Sequence, residues 1–139
     1  MRRASLGSND RRILRSASAV VGIDEVGRGC LAGPVVVCGV RFDAISPEPR
    51  VQDSKTLTAR EREQVAAWVL RHCCDWAVVE VWVELIDRLN ILEAVRLAMR
   101  ACARTLASSS DVVVSDGLDL LETGFAVHAP VRADATFFC

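Results

Sequence analysis

Two adjacent carboxylates, Asp24 and Glu25, end an apolar run and are followed by the segment Gly27, Arg28 and Gly29. Neighbouring strand side chains point to opposite faces, so both acids can serve one site only where the strand ends or twists. The glycines allow positive φ or close backbone approach to a ligand, and Arg28 adds a cation suited to phosphate. This combination is typical of a Mg²⁺ site beside phosphate, but a polar turn closing a hairpin accounts for the same residues equally well.

Two further acids, Asp116 and Asp134, also lie at or just after the end of an apolar run. Strand ends can meet along one edge of a sheet, where clustered acids repel each other unless cations bridge them. Two Mg²⁺ or Mn²⁺ ions about 4 Å apart would bridge them and hold a scissile phosphate for attack by water. Taken singly, each acid is more simply a solvated strand end.

The whole composition limits the function classes. A chain of 139 residues is one domain by size, and its net charge of −1 argues against a polybasic nucleic-acid binder. The six cysteines form no C-x-x-C pair, so free thiols in a reducing cytoplasm are expected rather than a zinc site. No signal peptide or membrane span is visible, and we expect a cytoplasmic protein.

The pattern of apolar residues predicts a flexible basic leader over residues 1–18 and one α/β domain over 19–139. Thr58 and Glu61 form a capping-box pattern that opens a helix running to about Cys73. His72 ends the apolar face of that helix and is read as a packing residue. Strands are predicted at Val20–Glu25, Leu31–Phe42, Trp76–Val83, Asp111–Gly117 and Gly124–Ala129, and further helices at Glu84–Leu89 and from Asn90 to Leu106. This alternation favours a mixed sheet covered by helices.

Four segments resemble the motifs of one family. The segment Gly22–Val35 closely resembles the N-terminal signature of ribonuclease HII, and Asp53–Leu57 is similar to that family's D-S-K-x-L loop. Ile86–Leu92 resembles its I-D-x-x-N-I segment, and Ser115–Gly117 its strand-end D-G. The motifs occur in order from about Val20 to Asp134.

The resemblance implies an RNase H-like fold with a mixed five-stranded sheet. It implies an endonuclease that cleaves RNA in RNA/DNA hybrids and single ribonucleotides embedded in duplex DNA, with two Mg²⁺ or Mn²⁺ ions. The enzyme would be a monomer when full length. The implied catalytic and metal-binding acids are Asp24, Glu25, Asp116 and Asp134. The implied nucleic-acid contacts are Gly27, Arg28, Gly29, Ser54, Lys55 and Arg132, with the glycine–arginine–glycine segment reading the 2′-OH.

Two departures from the family pattern bear on activity. Arg132 stands where the family usually has lysine. The chain has no tyrosine and ends where family members continue into helices that carry one, so we expect a truncated member without its C-terminal helices. The alternative function is therefore a non-catalytic, hybrid-binding fragment. Valines 35–37 and 112–114, with Phe137 and Phe138, are expected to form an exposed apolar face that drives association. Another RNase H-like nuclease or integrase is disfavoured, because Gly27–Gly29 and Asp53–Lys55 are not generic to that fold.

Overall fold

The computed structural model of the chain describes residues 12–44, 54–115 and 125–128. Within these ranges, five strands form one mixed sheet. In chain order the strands are β1 (Val20–Val26), β2 (Val35–Phe42), β3 (Asp75–Val81), β4 (Val112–Ser115) and β5 (Ala126–His128). The helices are α1 (Ala59–His72), α2 (Val83–Leu89) and α3 (Ile91–Leu106), and a short 3₁₀ turn spans Ser54–Thr56.

The sheet has the spatial order β3-β2-β1-β4-β5. β1 pairs antiparallel with β2, with Asp24 opposite Cys38, and β2 pairs antiparallel with β3. On its other side β1 pairs parallel with β4, which pairs parallel with β5. This arrangement confirms the predicted mixed five-stranded sheet and places β1, which carries the two adjacent acids, in its middle.

The second strand begins later than predicted. The sequence pattern extended it back to Leu31, whereas β2 begins at Val35. Pro34, which has no N–H to donate to the ladder, immediately precedes the strand. Gly33 has a φ of 108°, a conformation that ends extended backbone. Leu31 is accordingly fully exposed in the loop before β2.

The structure confirms the predicted helix caps at Thr58 and Asn90. The Thr58 side chain accepts a hydrogen bond from the backbone N–H of Glu61, and Glu61 accepts one from the backbone N–H of Thr58. Asn90 caps α3 by accepting hydrogen bonds from the N–H groups of Leu92 and Glu93. Its own φ is 68° and its ψ is 162°, a conformation that is uncommon in residues other than glycine. This residue therefore sets the bend between α2 and α3.

The main core lies between the sheet and α3. One side of α3 is buried, including Val95, Met99 and Cys102, and it packs against Val21 and Val37 of the sheet. We call this the back face of the sheet. Gly39 permits the close approach, because a Cβ at this position would lie 2.5 Å from Cys102 Sγ. Burial and nearby Cys38 raise the pKa of the Cys102 thiol to about 11.

A buried ion pair ties β2 to the start of β4. Asp111 is 1% exposed and accepts hydrogen bonds from Arg41 Nε at 3.0 Å, Arg41 Nη2 at 3.3 Å and the Ser108 N–H at 2.9 Å. Burial raises the pKa of Asp111, but the hydrogen bonds from Arg41 and Ser108 outweigh it and leave the pKa below its ordinary value. The hydrogen bond to Asp111 raises the pKa of Arg41. Asp111 is therefore a structural acid.

The opposite, front face is covered in patches. Phe42 and Trp68 form a small cluster under α1, and the His72 ring stacks on Trp68 with centroids 4.2 Å apart. His72 therefore packs at the end of α1, as expected. Ile13 and Leu14 pack against Val20 and Val114, so the described part of the predicted leader contacts the sheet. The boundary placed at residue 18 stays a prediction.

Among the described residues, no helix has both the length and the apolar character needed to cross a membrane.

Candidate active site

Asp24 and Glu25 lie near the end of β1, where both are still paired with β2 but the pairing with β4 has stopped at Ile23. Asp24 is exposed on the front face, and Glu25 is largely buried. The Asp24 Oδ1 atom accepts a 2.8 Å hydrogen bond from the backbone N–H of Glu25. Although neighbouring side chains of a strand point to opposite faces, both acids line one cleft near the end of β1.

Arg28 engages Glu25 rather than standing free in solvent. Its Nη1 donates to Glu25 Oε1 at 3.1 Å, and the side chains are 44% and 13% exposed respectively. The second carboxylate oxygen, Glu25 Oε2, is buried and accepts no hydrogen bond from the residues that the structure describes. A buried, unsatisfied carboxylate oxygen is costly, so this atom would gain from a further partner.

The two glycines around Arg28 have different roles. Gly27 has a φ of 105°, and a Cβ there would lie 2.7 Å from the carbonyl oxygen of Pro34. Gly29 has no positive φ, and a Cβ there would meet nothing within 4 Å. The fold itself therefore requires glycine at 27, whereas at 29 a small side chain would fit the protein.

An open cleft of about 480 Å³ connects β1 with the 3₁₀ turn. Its lining consists of Asp24, Glu25, Val26, Val36, Cys38, Ser54 and Lys55. Two of the predicted nucleic-acid contacts, Ser54 and Lys55, thus share one cleft with the two adjacent acids. Phosphate would meet the Ser54 hydroxyl and the Lys55 ammonium here.

Cys38 was missed as a cleft residue. It lies directly opposite Asp24 in the β1–β2 register, and its side chain is exposed. Burial, Cys73 and Asp24 raise the pKa of its thiol. The side chain that lines the cleft here is therefore a neutral, polarisable thiol. The alternation of β2 gave the signal, since Val35 and Val37 are buried while Val36 and Cys38 face the other way. The signal could be used only once the register with β1 was known.

The other predicted site residues, Asp116, Asp134 and Arg132, lie outside the described residues. In the parts of the chain that the structure describes, no three His, Cys, Asp or Glu side chains come close enough together to hold a metal ion. Asp24 and Glu25 would therefore be two members of a larger ligand set. The roles of all the predicted site residues stay predictions.

The donor set around β1 fits a divalent cation. Carboxylate oxygens are the ligands that Mg²⁺ and Mn²⁺ prefer, and Asp24 and Glu25 supply them at the mouth of an open cleft. The unsatisfied Glu25 Oε2 would gain a partner from a bound cation. The described residues are thus compatible with a metal, and the rest of its ligands must come from elsewhere.

The sequence model of one family, described as Ribonuclease HII, matches residues 21–130. The chain belongs to the ribonuclease HII family. It is 40% identical over 132 residues to the ribonuclease HII of Ralstonia nicotianae, and 48% identical over 111 residues to that of Paracoccus denitrificans. These alignments cover 93% and 79% of the chain, respectively.

The fold agrees with that assignment. The ribonuclease H2 of Pyrococcus horikoshii superimposes with a TM-score of 0.72 at 27% identity, over 84% of this chain and 64% of the other. The chain spans about half the length of the two curated ribonucleases HII, 53% and 52%. The family match begins at the second residue of β1 and includes the glycine loop and the 3₁₀ turn. Every residue that lines the cleft therefore lies within the matched part of the chain.

Proposed function

We propose that this protein is a metal-dependent endoribonuclease that cleaves the RNA strand of RNA/DNA hybrids and single ribonucleotides within duplex DNA. One observation carries the proposal: a ribonuclease HII chain places Asp24 and Glu25 at a strand end, in one cleft with Ser54 and Lys55. Acids and phosphate-binding groups in one open cleft suit hydrolysis of a phosphodiester. The substrate would be a nucleic acid, because a broad polymer needs an open cleft of this kind.

The metal ions would be two Mg²⁺ or Mn²⁺, held by Asp24 and Glu25 together with Asp116 and Asp134. When bound, they would offset the charge on the scissile phosphate and favour in-line attack by water. Arg28 fixes the Glu25 carboxylate through its Oε1 atom, which leaves Oε2 for a cation. Lys55 and Ser54 would hold the phosphate backbone beside the acids, with Arg132 as a further contact.

Recognition of ribose would come from the loop after β1. Gly29 lies in open space and needs no glycine for packing, so a glycine there suits the close approach of a ligand. A 2′-OH is the feature that separates RNA from DNA at a given site, and a backbone group can bond it without steric obstruction. We expect the active protein to be monomeric and cytoplasmic.

The first prediction tests the acids. Asp24→Asn removes one charge without changing size, and we expect the rate of cleavage of a single-ribonucleotide duplex in Mn²⁺ to fall by at least 10²-fold. The matched control is Asp75→Asn, an exposed acid at the start of β3, which should cleave normally. Addition of EDTA should abolish cleavage by the unsubstituted chain. Cleavage that continues in EDTA, or that survives Asp24→Asn, would overturn the proposed chemistry.

The alternative, a hybrid-binding fragment without catalysis, gives a different result in the same preparation. The chain would bind an RNA/DNA hybrid more tightly than duplex DNA, and no Mg²⁺ or Mn²⁺ concentration would produce cleavage. Native electrophoresis and a cleavage assay on one labelled substrate separate the two functions.

A further inference from the structure

Beside its buried face, α3 carries three arginines, the half-buried Arg96 and Arg100 and the exposed Arg104, one at every fourth residue. Residues four apart in a helix lie on one side, so these side chains form a row, which we call the arginine stripe. The only acid in α3 is Glu93, in its first turn. The whole chain has a net charge of −1, so α3 is more positively charged than the chain as a whole.

Two of the three arginines lack an acidic partner. Arg96 Nη1 pairs with Glu93 Oε1 at 2.6 Å, but within the described residues Arg100 and Arg104 form no ion pair. The Arg100 Nε atom is buried and makes no hydrogen bond, while Arg104 is exposed. The stripe therefore presents guanidinium groups whose bonding capacity is not filled by the described residues.

Helix α1 shows what an ordinary solvated face looks like in the same chain. There Arg60 and Arg62 alternate with Glu61 and Glu63, the mixed pattern that keeps surfaces soluble. Arg62 also donates to the carbonyl oxygen of Leu57 at 2.6 Å. The single-sign stripe of α3 differs in both respects, because it has no interleaved acids and two of its arginines form no ion pair with a residue that the structure describes.

We propose that the arginine stripe binds the phosphate backbone of duplex nucleic acid, independent of sequence, at a place separate from the cleft. From Arg96 to Arg104 the helix rises about 12 Å, and a duplex carries a negative charge every ~1.7 Å of its axis. The stripe thus matches several phosphates, and guanidinium groups bind phosphate bidentately. The small side chains of Ala101 and Thr105 beside the stripe allow a close approach.

The stripe and the cleft lie on opposite sides of the sheet. The inner side of α3 packs on the back face, with Ile23 in the same core, whereas Asp24 is exposed on the front face. A duplex bound in the cleft would therefore lie on the other side of the sheet from the stripe. A second segment of a long or bent duplex can, and such contacts let proteins slide and hop along DNA. The choice of nucleic acid as the polyanion rests on the proposed function.

The test is the salt dependence of binding to an all-deoxy duplex in EDTA, so that no cleavage occurs. In Arg100→Gln/Arg104→Gln, the slope of log affinity against log salt should become shallower by about 1.8, or ~0.9 for each lost phosphate contact. Between 50 and 200 mM salt, the unsubstituted chain should then lose about 12-fold more affinity than the variant. Arg100→Lys/Arg104→Lys keeps both charges and should keep the original slope.

The matched control is Arg71→Gln/Arg88→Gln, which removes two exposed arginines from α1 and α2 and should leave the slope unchanged. Should the double variant fail to melt cooperatively, Arg104→Gln alone gives a change of about 0.9 from an exposed position. An unaltered slope in the glutamine variants, or an equal change in the control, overturns the proposal, and is the result expected if the stripe binds an acidic protein instead. Loss of cleavage together with an unaltered slope also overturns it and places the effect of the arginines at the cleft.

Discussion

Gly27 and Gly29 lie two residues apart in the loop after β1, but different constraints act on them. Gly27 has a positive φ and its backbone lies against Pro34, so the constraint there comes from the fold. Gly29 has no positive φ and no close neighbour among the described residues, so we expect a constraint there to come from a bound molecule. The sequence pattern treated both glycines alike, because φ and the position of Pro34 are tertiary facts that spacing does not contain.

Substitution of the two glycines by alanine separates stability from recognition. Gly27→Ala should lower the free energy of unfolding by about 1–3 kcal/mol, because the residue would be strained and would clash with backbone. Gly29→Ala should change it by less than about 0.5 kcal/mol yet raise KM for a single-ribonucleotide duplex. Urea unfolding and steady-state cleavage measure the two effects. Normal kinetics in Gly29→Ala would show that this loop does not approach the ribose closely.

Local signals within an element were readable from the sequence, and contacts between elements were not. The capping box of Thr58 and Glu61 and the Asn90 cap depend on residues two or three apart, and both were predicted. The Arg41–Asp111 pair joins residues far apart in the chain, and the sequence pattern placed Asp111 only at the start of a predicted strand. Cys38 faces Asp24 because of a strand register that the sequence does not specify by itself.

The Arg41–Asp111 pair should matter for stability at neutral pH and lose its effect in acid. The pKa of Asp111 is lowered by folding, so its contribution is complete above the unfolded pKa of about 3.9. It is lost as pH falls through the folded value. Asp111→Asn should cost about 2 kcal/mol at pH 7, below the ~3–5 kcal/mol of fully buried pairs, because Arg41 is 25% exposed.

Chemical unfolding at pH 7 and near pH 3 measures that dependence, and the gap between variant and unsubstituted chain should narrow in acid. Glu93→Gln is the control: it breaks the shorter but exposed Arg96–Glu93 pair and should change stability by less than ~1 kcal/mol. If the difference in unfolding free energy stays constant with pH, Asp111 stabilises the fold through the geometry of its hydrogen bonds and not through its charge.

The close contact between β2 and α3 can be tested by adding a methyl group at Gly39. Gly39→Ala would place a Cβ 2.5 Å from Cys102 Sγ and 2.8 Å from Leu106 Cδ1, so we expect a loss of about 1–3 kcal/mol from overpacking. Gly39→Ala combined with Cys102→Ala should cost less than the sum of the two changes. Thiol labelling gives a second readout, since a displaced α3 would expose the buried Cys102. Additive costs would mean that α3 shifts freely.

At the scale of the whole molecule, the apolar surface lies elsewhere than the sequence suggested. The valines at 35, 37, 113 and 114 are buried rather than exposed, because α3 and the residues around Ile13 cover them. Phe137 and Phe138 lie outside the described residues. The exposed large apolar side chains include Trp76 and Val78 on β3 and Trp82 at the start of α2. Hydrophobicity indicated which residues avoid water but not which neighbouring element covers them. Association of the chain stays a prediction.

The central position of β1 has a consequence for the order of folding. Its pairing with β2 closes a short hairpin, whereas Val20 pairs with Val112 only after roughly ninety intervening residues, and such distant pairing is slow. Successive amides of a central strand point alternately to its two neighbours. During refolding, the β1 amides bonded to β2 should therefore gain protection from hydrogen exchange before those bonded to β4. Pulsed labelling would resolve two phases within this one strand, and a single common phase would mean that the sheet forms all at once.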